Sequence, residues 1–156
     1  LDMDTSGIIA LALTAEAHRH LSKQFEQKTT KKTYVALIYG APEHKAGRVD
    51  LPLRCDWPNR PLQMVDHELG KSAQTDYEII SQQENICRVL LHPITGRSHQ
   101  LRVHMKELGT PIIGDPFYAT GAALAASERL ALHACFLSFR HIETNDMIEI
   151  TSEPDF

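Results

Sequence analysis

Cysteine is scarce in this 156-residue chain: Cys55, Cys87 and Cys135 stand far apart, with no CxxC pair. An odd count without paired spacing argues against a disulfide framework and against structural zinc, and predicts buried thiols. No apolar run approaches the length of a membrane span, and no signal peptide is visible. Positive charge is not in excess, with 16 Lys and Arg against 20 Asp and Glu and a net charge of −4. That balance excludes a protein clothed in a nucleic-acid-binding surface but leaves room for a local basic track. Repeats, low-complexity tracts and linkers are missing as well. So are the P-loop, the dinucleotide fingerprint and the nucleophile elbow; the nearest approach, at Gly96, lacks its second glycine. Among nine histidines only His18 and His20 stand two apart, on diverging faces of a helix. Asp2 and Asp4 have no third ligand at a recognisable spacing, so neither metal nor organic cofactor is expected.

What is present is a globular composition, 42 % hydrophobic and 23 % charged, at the size of one domain. A single domain over 1–156 is expected. Because the chain opens at Leu1, already inside a motif, a domain truncated at its N-terminal end is expected too. Ile8 to Leu13 reads as a buried strand. Thr14 then offers an N-cap, and Ala17, Leu21 and Phe25 carry a helix to about Lys28. Strands are predicted at 33–40, 48–51, 62–68, 73–80, 86–92, 130–140 and 147–151, with DWPNRP at 56–61 as a turn-rich loop. A helix is predicted over 98–108 with Ser98 as its cap and Gly109 as its stop, and a short helical turn over 122–128. Strands outnumber helices without βαβ alternation. An α+β fold with a mixed, largely antiparallel sheet and a few packed helices follows.

Chemistry concentrates in PITGRSHQLRVH at 93–104, where Arg97, Ser98, His99, Gln100, Arg102 and His104 crowd the first two turns of the predicted helix. Donors at the positive end of a helix suit a phosphate or a carboxylate. LDMDTSG at 1–7 places two carboxylates in a turn before a strand, where they can also satisfy backbone N–H groups. Thr75 and Tyr77 read as packing residues on a strand face, Gly114 and Asp115 as turn formers, and His133 as a core histidine.

Taken in order, LDMDTSG, KKTYVALIYG, GKSAQTDYE, PITGRSHQLRVH, PIIGDPFY and RLALHA resemble the RluA family of pseudouridine synthases over nearly the whole chain. CDWPNRP and the closing EPDF resemble the family's dual-specificity member, which acts on tRNA and 23S rRNA. The family's first motif reads His-Arg-Leu-Asp; this chain begins at its Leu-Asp, so Asp2 matches the catalytic aspartate. Tyr34 matches the tyrosine that packs against the target uracil, and Arg102 the arginine that ion-pairs with the aspartate.

The resemblance implies an isomerase that turns uridine into pseudouridine in structured RNA, the anticodon stem-loop of tRNA or a hairpin of 23S rRNA. The reaction breaks the N1–C1′ bond, rotates the detached uracil and rejoins it through C5. A carboxylate can attack C1′ or the ring, or can deprotonate the ribose, and these alternatives stay open here. Tyr34 offers an aromatic face to the base and a hydroxyl for proton transfer from C5. Lys31, Lys32, Arg97 and His99 are candidate contacts to the substrate and to phosphates flanking an extruded nucleotide, with solvated charge as the alternative. A cytoplasmic monomer with no membrane partner is expected. The competing readings are a non-catalytic RNA-binding module, a family member with another rRNA target, and an unrelated acid-base hydrolase using Asp2 and His99.

Overall fold

The computed structural model describes residues 1–156 as a mixed seven-stranded sheet, a two-stranded ribbon and three helices. The strands are β1 (Ser6–Gly7), β2 (Lys31–Tyr39), β3 (Ala46–Asp50), β4 (Leu53–Cys55), β5 (Gln63–Val65), β6 (Gln74–Gln83), β7 (Ile86–Pro93), β8 (Leu132–Arg140) and β9 (Met147–Thr151). The helices are α1 (Ala15–Glu26), α2 (Gln100–Glu107) and α3 (Gly121–Ala125). Strand order is β1-β8-β2-β7-β6-β3, with β9 also paired to β8, and β4 and β5 form the ribbon. Every pairing is antiparallel except β1 with β8, which makes the expected α+β architecture.

The central strands are apolar because neighbours pair on both sides. Val35, Ala36 and Ile38 of β2 and Cys87, Val89 and Leu91 of β7 are all buried. Leu101 and Met105, four apart on α2, join Ile112, Leu130 and Leu132 in the same cluster. Each such side chain contributes about 1.5–3 kcal/mol relative to exposure. In β2 the register against β8 shifts between Thr33 and Tyr34. Consecutive Thr33 and Tyr34 face Phe136 and Ala134, so the extra residue of the bulge is Cys135 on β8, opposite Tyr34.

Four expectations are corrected. Ile8–Leu13 is not a strand: pairing stops at Gly7, and Ile9, Leu11 and Leu13 are exposed because no neighbouring strand lies beyond to cover them. The strand expected over 62–68 is confined to 63–65, because the Asp66 carboxylate accepts from the backbone N–H of Glu68 and Leu69 and bends the chain away. The strand expected over 48–51 runs over Ala46–Asp50 and contains Gly47, which packs under Tyr77. Ser98 does not cap α2; His99 occupies that position, with φ of +53° and no side-chain cap bond. Thr14 does cap α1, accepting from the Ala17 N–H at 3.1 Å.

Candidate active site

The PITGRSHQ loop is held open by one buried amide. Gln100 accepts from the Thr95 hydroxyl at 2.7 Å and the Arg97 N–H at 3.0 Å, and donates to the Gln74 carbonyl and Thr75 Oγ1 at 2.9 and 3.0 Å. All its hydrogen-bonding capacity is used, so the loop is fixed to β6. Thr75 in turn lies 2.9 Å from His104 Nδ1, whose Nε2 is 3.0 Å from the Leu51 carbonyl. Burial holds the His104 pKa down. His104 is therefore scaffold, buried like Gln100 and apart from the exposed Arg97 and Ser98 with which the sequence grouped it.

Two residues into α2, Arg102 is buried. Its Nε and Nη2 donate to the two oxygens of Asp115 at 2.8 and 2.6 Å, and its Nη1 reaches Asp2 at 3.5 Å. Burial opposes the guanidinium charge, and Asp115 more than offsets it, so the Arg102 pKa is raised. Phe117 and Tyr118 cover the guanidinium, their ring centres 5.1 and 5.3 Å from Cζ. Asp115 also accepts from the N–H groups of Phe117 and Tyr118, so it does shape the turn expected of it. Its larger task is to satisfy a buried arginine.

Asp2 lies just before β1, which is stitched to β8 by the Ile8 N–H to the Ala134 carbonyl and by Ser6 Oγ, 2.9 Å from His133 Nδ1. His133 is the buried histidine expected, its other nitrogen 3.2 Å from the Ser152 carbonyl. Asp2 and Tyr34 both line a cavity of about 380 Å³ whose wall includes Lys32, Arg97 and His99. Burial, and then the Asp2 charge, raise the Tyr34 pKa, so its hydroxyl keeps its proton at neutral pH. Arg102 stands behind Asp2, outside the cavity wall.

Lys32 and Arg97 also line an adjoining groove of about 740 Å³ that Lys28, Lys31 and His92 share. Lys32 takes part in none of the chain's six ion pairs. Burial lowers its pKa, and its ammonium lies 5.8 Å from the Phe25 ring centre. Arg97 Nε donates to the Ser72 carbonyl at 3.0 Å. Lys31 is exposed and belongs to the groove alone. His99 Nδ1 is 2.6 Å from the Tyr118 hydroxyl, and its ring stacks on Phe117. Tyr118, buried and remote in sequence, carried no signal of this contact.

Residues 1–107 match the family model described as RNA pseudouridylate synthase. The chain is 52 % identical over 157 residues to the dual-specificity RNA pseudouridine synthase RluA of Escherichia coli (strain K12), covering all of this chain and 72 % of that protein. It is 52 % identical to the protein of the same name from Yersinia pestis, again over all of this chain, and covers 76 % of that one. Among solved structures, human RNA pseudouridylate synthase domain containing 1 superposes with a TM-score of 0.86 at 28 % identity, over the whole chain and 67 % of that structure. Human RNA pseudouridylate synthase domain containing 4 shares the fold with a TM-score of 0.68 over 89 % of the chain and 63 % of that structure.

Proposed function

The chain belongs to the RNA pseudouridylate synthase family, and on that premise we propose that it isomerises uridines in both a tRNA anticodon stem-loop and a 23S rRNA hairpin, using Asp2, Tyr34 and Arg102. The enzyme class, an isomerase acting on RNA, follows from the family. The two-substrate reading rests on the dual-specificity name of relatives 52 % identical over the whole chain. The observation that carries the site is the meeting of Asp2 and Tyr34 in one cavity, with the Arg102 guanidinium behind the carboxylate.

In this reading the target nucleotide leaves its stack and enters the cavity, because its reacting atoms are inaccessible inside a helix. Asp2 acts on the ribose or the ring as the N1–C1′ bond breaks. Arg102 holds that carboxylate through a charge-assisted contact. Tyr34 supports the freed uracil while it turns, and its hydroxyl takes part in moving the proton from C5 once the C1′–C5 bond has formed. The displaced proton ends on N1, so the reaction balances as an isomerisation without a co-reactant. Lys31, Lys32 and Arg97 contact phosphates on either side of the extruded nucleotide, and His99 contacts the substrate from the cavity wall. The enzyme works as a monomer in the cytoplasm.

The test is tritium release from RNA labelled at uridine C5, on tRNA and on 23S rRNA hairpin transcripts, with the full natural chain and its Asp2→Asn variant. Release from both RNAs that disappears in the variant is the expected result. Release from neither RNA sinks the substrate assignment. Undiminished release by Asp2→Asn sinks the catalytic one. Sedimentation and cell fractionation test the monomer and the compartment.

A further inference from the structure

We propose that His99 presents a fixed Nε2–H donor to a carbonyl oxygen of the target uracil, with its tautomer set from behind by the Tyr118 hydroxyl. The role assigned to the cavity rests on the uridine-isomerising reading above; the tautomer does not.

The argument begins at the Tyr118 oxygen, which accepts from the Gln63 N–H at 2.9 Å and lies 2.6 Å from His99 Nδ1. Burial pushes the Tyr118 pKa up to about 12, so the phenol keeps its proton. A phenol has one proton to donate, and Nδ1 is the acceptor within reach. Nδ1 therefore accepts, and the proton of the neutral imidazole sits on Nε2. Burial lowers the His99 pKa, with the Asp2 charge opposing, so the ring is neutral when the enzyme works.

The ring is fixed as well as oriented. Phe117 stacks on it at 5.6 Å and 24°, and Tyr118 meets it edge-on at 5.5 Å. Its backbone adopts a left-handed φ of +53°, which costs a non-glycine residue energy and is retained only where surrounding contacts impose it. Tyr118 lies outside the cavity wall and His99 within it, so the Nδ1 edge faces the interior. Nε2 has no hydrogen-bond partner in the protein, and no buried polar side-chain atom in the structure is unsatisfied, so Nε2 is accessible.

Uracil answers such a donor with its oxygens at C2 and C4. Cytosine carries an amino group at C4, so a donor facing that position rejects cytidine by leaving two donors opposed. With its exposed nitrogen protonated the neutral ring cannot abstract a proton, and without a charge it is a weak phosphate ligand. A base carbonyl uses both properties.

The experiment has two arms. In the first, long-range proton–nitrogen NMR on histidine-labelled protein without RNA reads the tautomer directly. The expected spectrum shows His99 with a protonated Nε2 and a bare Nδ1, and Tyr118→Phe returns a mixture. An Nδ1–H tautomer in the unsubstituted protein overturns the proposal whatever the RNA substrate is. In the second arm, hairpins carrying 2-thiouridine or 4-thiouridine at the target position are compared with uridine, for the unsubstituted chain and for His99→Asn. Asparagine tolerates the left-handed backbone but is too short to reach the base. Sulfur at the contacted position is expected to lower kcat/KM by about tenfold, the effect of one hydrogen bond, in the unsubstituted chain and not in His99→Asn. The responding hairpin identifies the oxygen. Additive losses for both thiouridines overturn the base contact, while failure of the uridine hairpins themselves speaks against the substrate reading instead.

Discussion

Arg102 holds Asp115 with two nitrogens, at 2.8 and 2.6 Å, and spares only the third for Asp2, at 3.5 Å. The guanidinium is thus oriented by a carboxylate that does not line the cavity. Asp2 meets a cation already fixed in place and can change its own contacts without unseating it.

Asp115→Asn should consequently behave as a stability variant first. Removing one partner of a buried pair leaves an uncompensated charge and costs about 3–5 kcal/mol. Urea denaturation followed by circular dichroism measures it, and Asp2→Asn, on the half-exposed side of the same arginine, should lose about 1 kcal/mol or less. Equal losses for the two variants would contradict the hierarchy of contacts.

Tyr34→Phe keeps the aromatic face and removes the hydroxyl. Tritium release should fall about 10²-fold or more, the usual share of positioned acid–base groups, while hairpin affinity by filter binding stays within about threefold, under 1 kcal/mol. Full turnover in the phenylalanine variant would confine Tyr34 to packing.

Lys32 stands where the cavity opens into the basic groove and pairs with no carboxylate. If it neutralises one phosphate of the substrate, Lys32→Ala should reduce the slope of log affinity against log salt by about 0.7, the value for a single-stranded contact. A lower affinity with an unchanged slope would assign it to packing against Phe25.

Asp66 supplies an acid-sensitive element of the fold. Its pKa is lowered from 3.8 to about 2 by the Leu69 N–H, then by Arg54 and the Glu68 N–H. A depressed folded-state pKa contributes stability that is complete above the unfolded value and is lost as pH falls through the folded one. The urea midpoints of the unsubstituted chain and of Asp66→Ala should therefore differ fully at pH 7 and converge between 3.8 and about 2.

Gly114 sits at a φ of +68°, and an added Cβ would lie 2.1 Å from the Arg129 carbonyl oxygen. Gly114→Ala should destabilise by about 1–3 kcal/mol and reduce turnover as well, because Asp115 is the next residue. A thermal melt and tritium release on one preparation check both, and a silent substitution would deny the turn any control over the Arg102 pair.

The sheet was legible wherever composition and period agreed. TYVALIY and ICRVLLHP are apolar because they lie at the centre, and both became strands close to their expected bounds. Ile8–Leu13 was misleading for the same reason: an apolar run signals burial only if a partner arrives, and β1 ends before it. Asp2, Tyr34 and Arg102 were singled out by ordered motifs, and their meeting in space depends on pairings about one hundred residues or more apart in sequence. Asp115 was read as a turn former because its neighbours are turn residues. Local chemistry cannot reveal that the partner of Arg102 arrives from a loop 13 positions away. Tyr118 and Gln100 were hidden in the same way, since a buried hydroxyl or amide announces itself only through what surrounds it.

The two-residue strand β1 pairs with His133 and Ala134. Asp2, just ahead of β1, is therefore anchored by a strand that the ribosome delivers 127 residues later. During synthesis β2, β3, β6 and β7 can pair in turn while the nascent chain still has no place to hold its aspartate. The cavity that Asp2 lines can therefore be completed only once His133 and Ala134 have emerged.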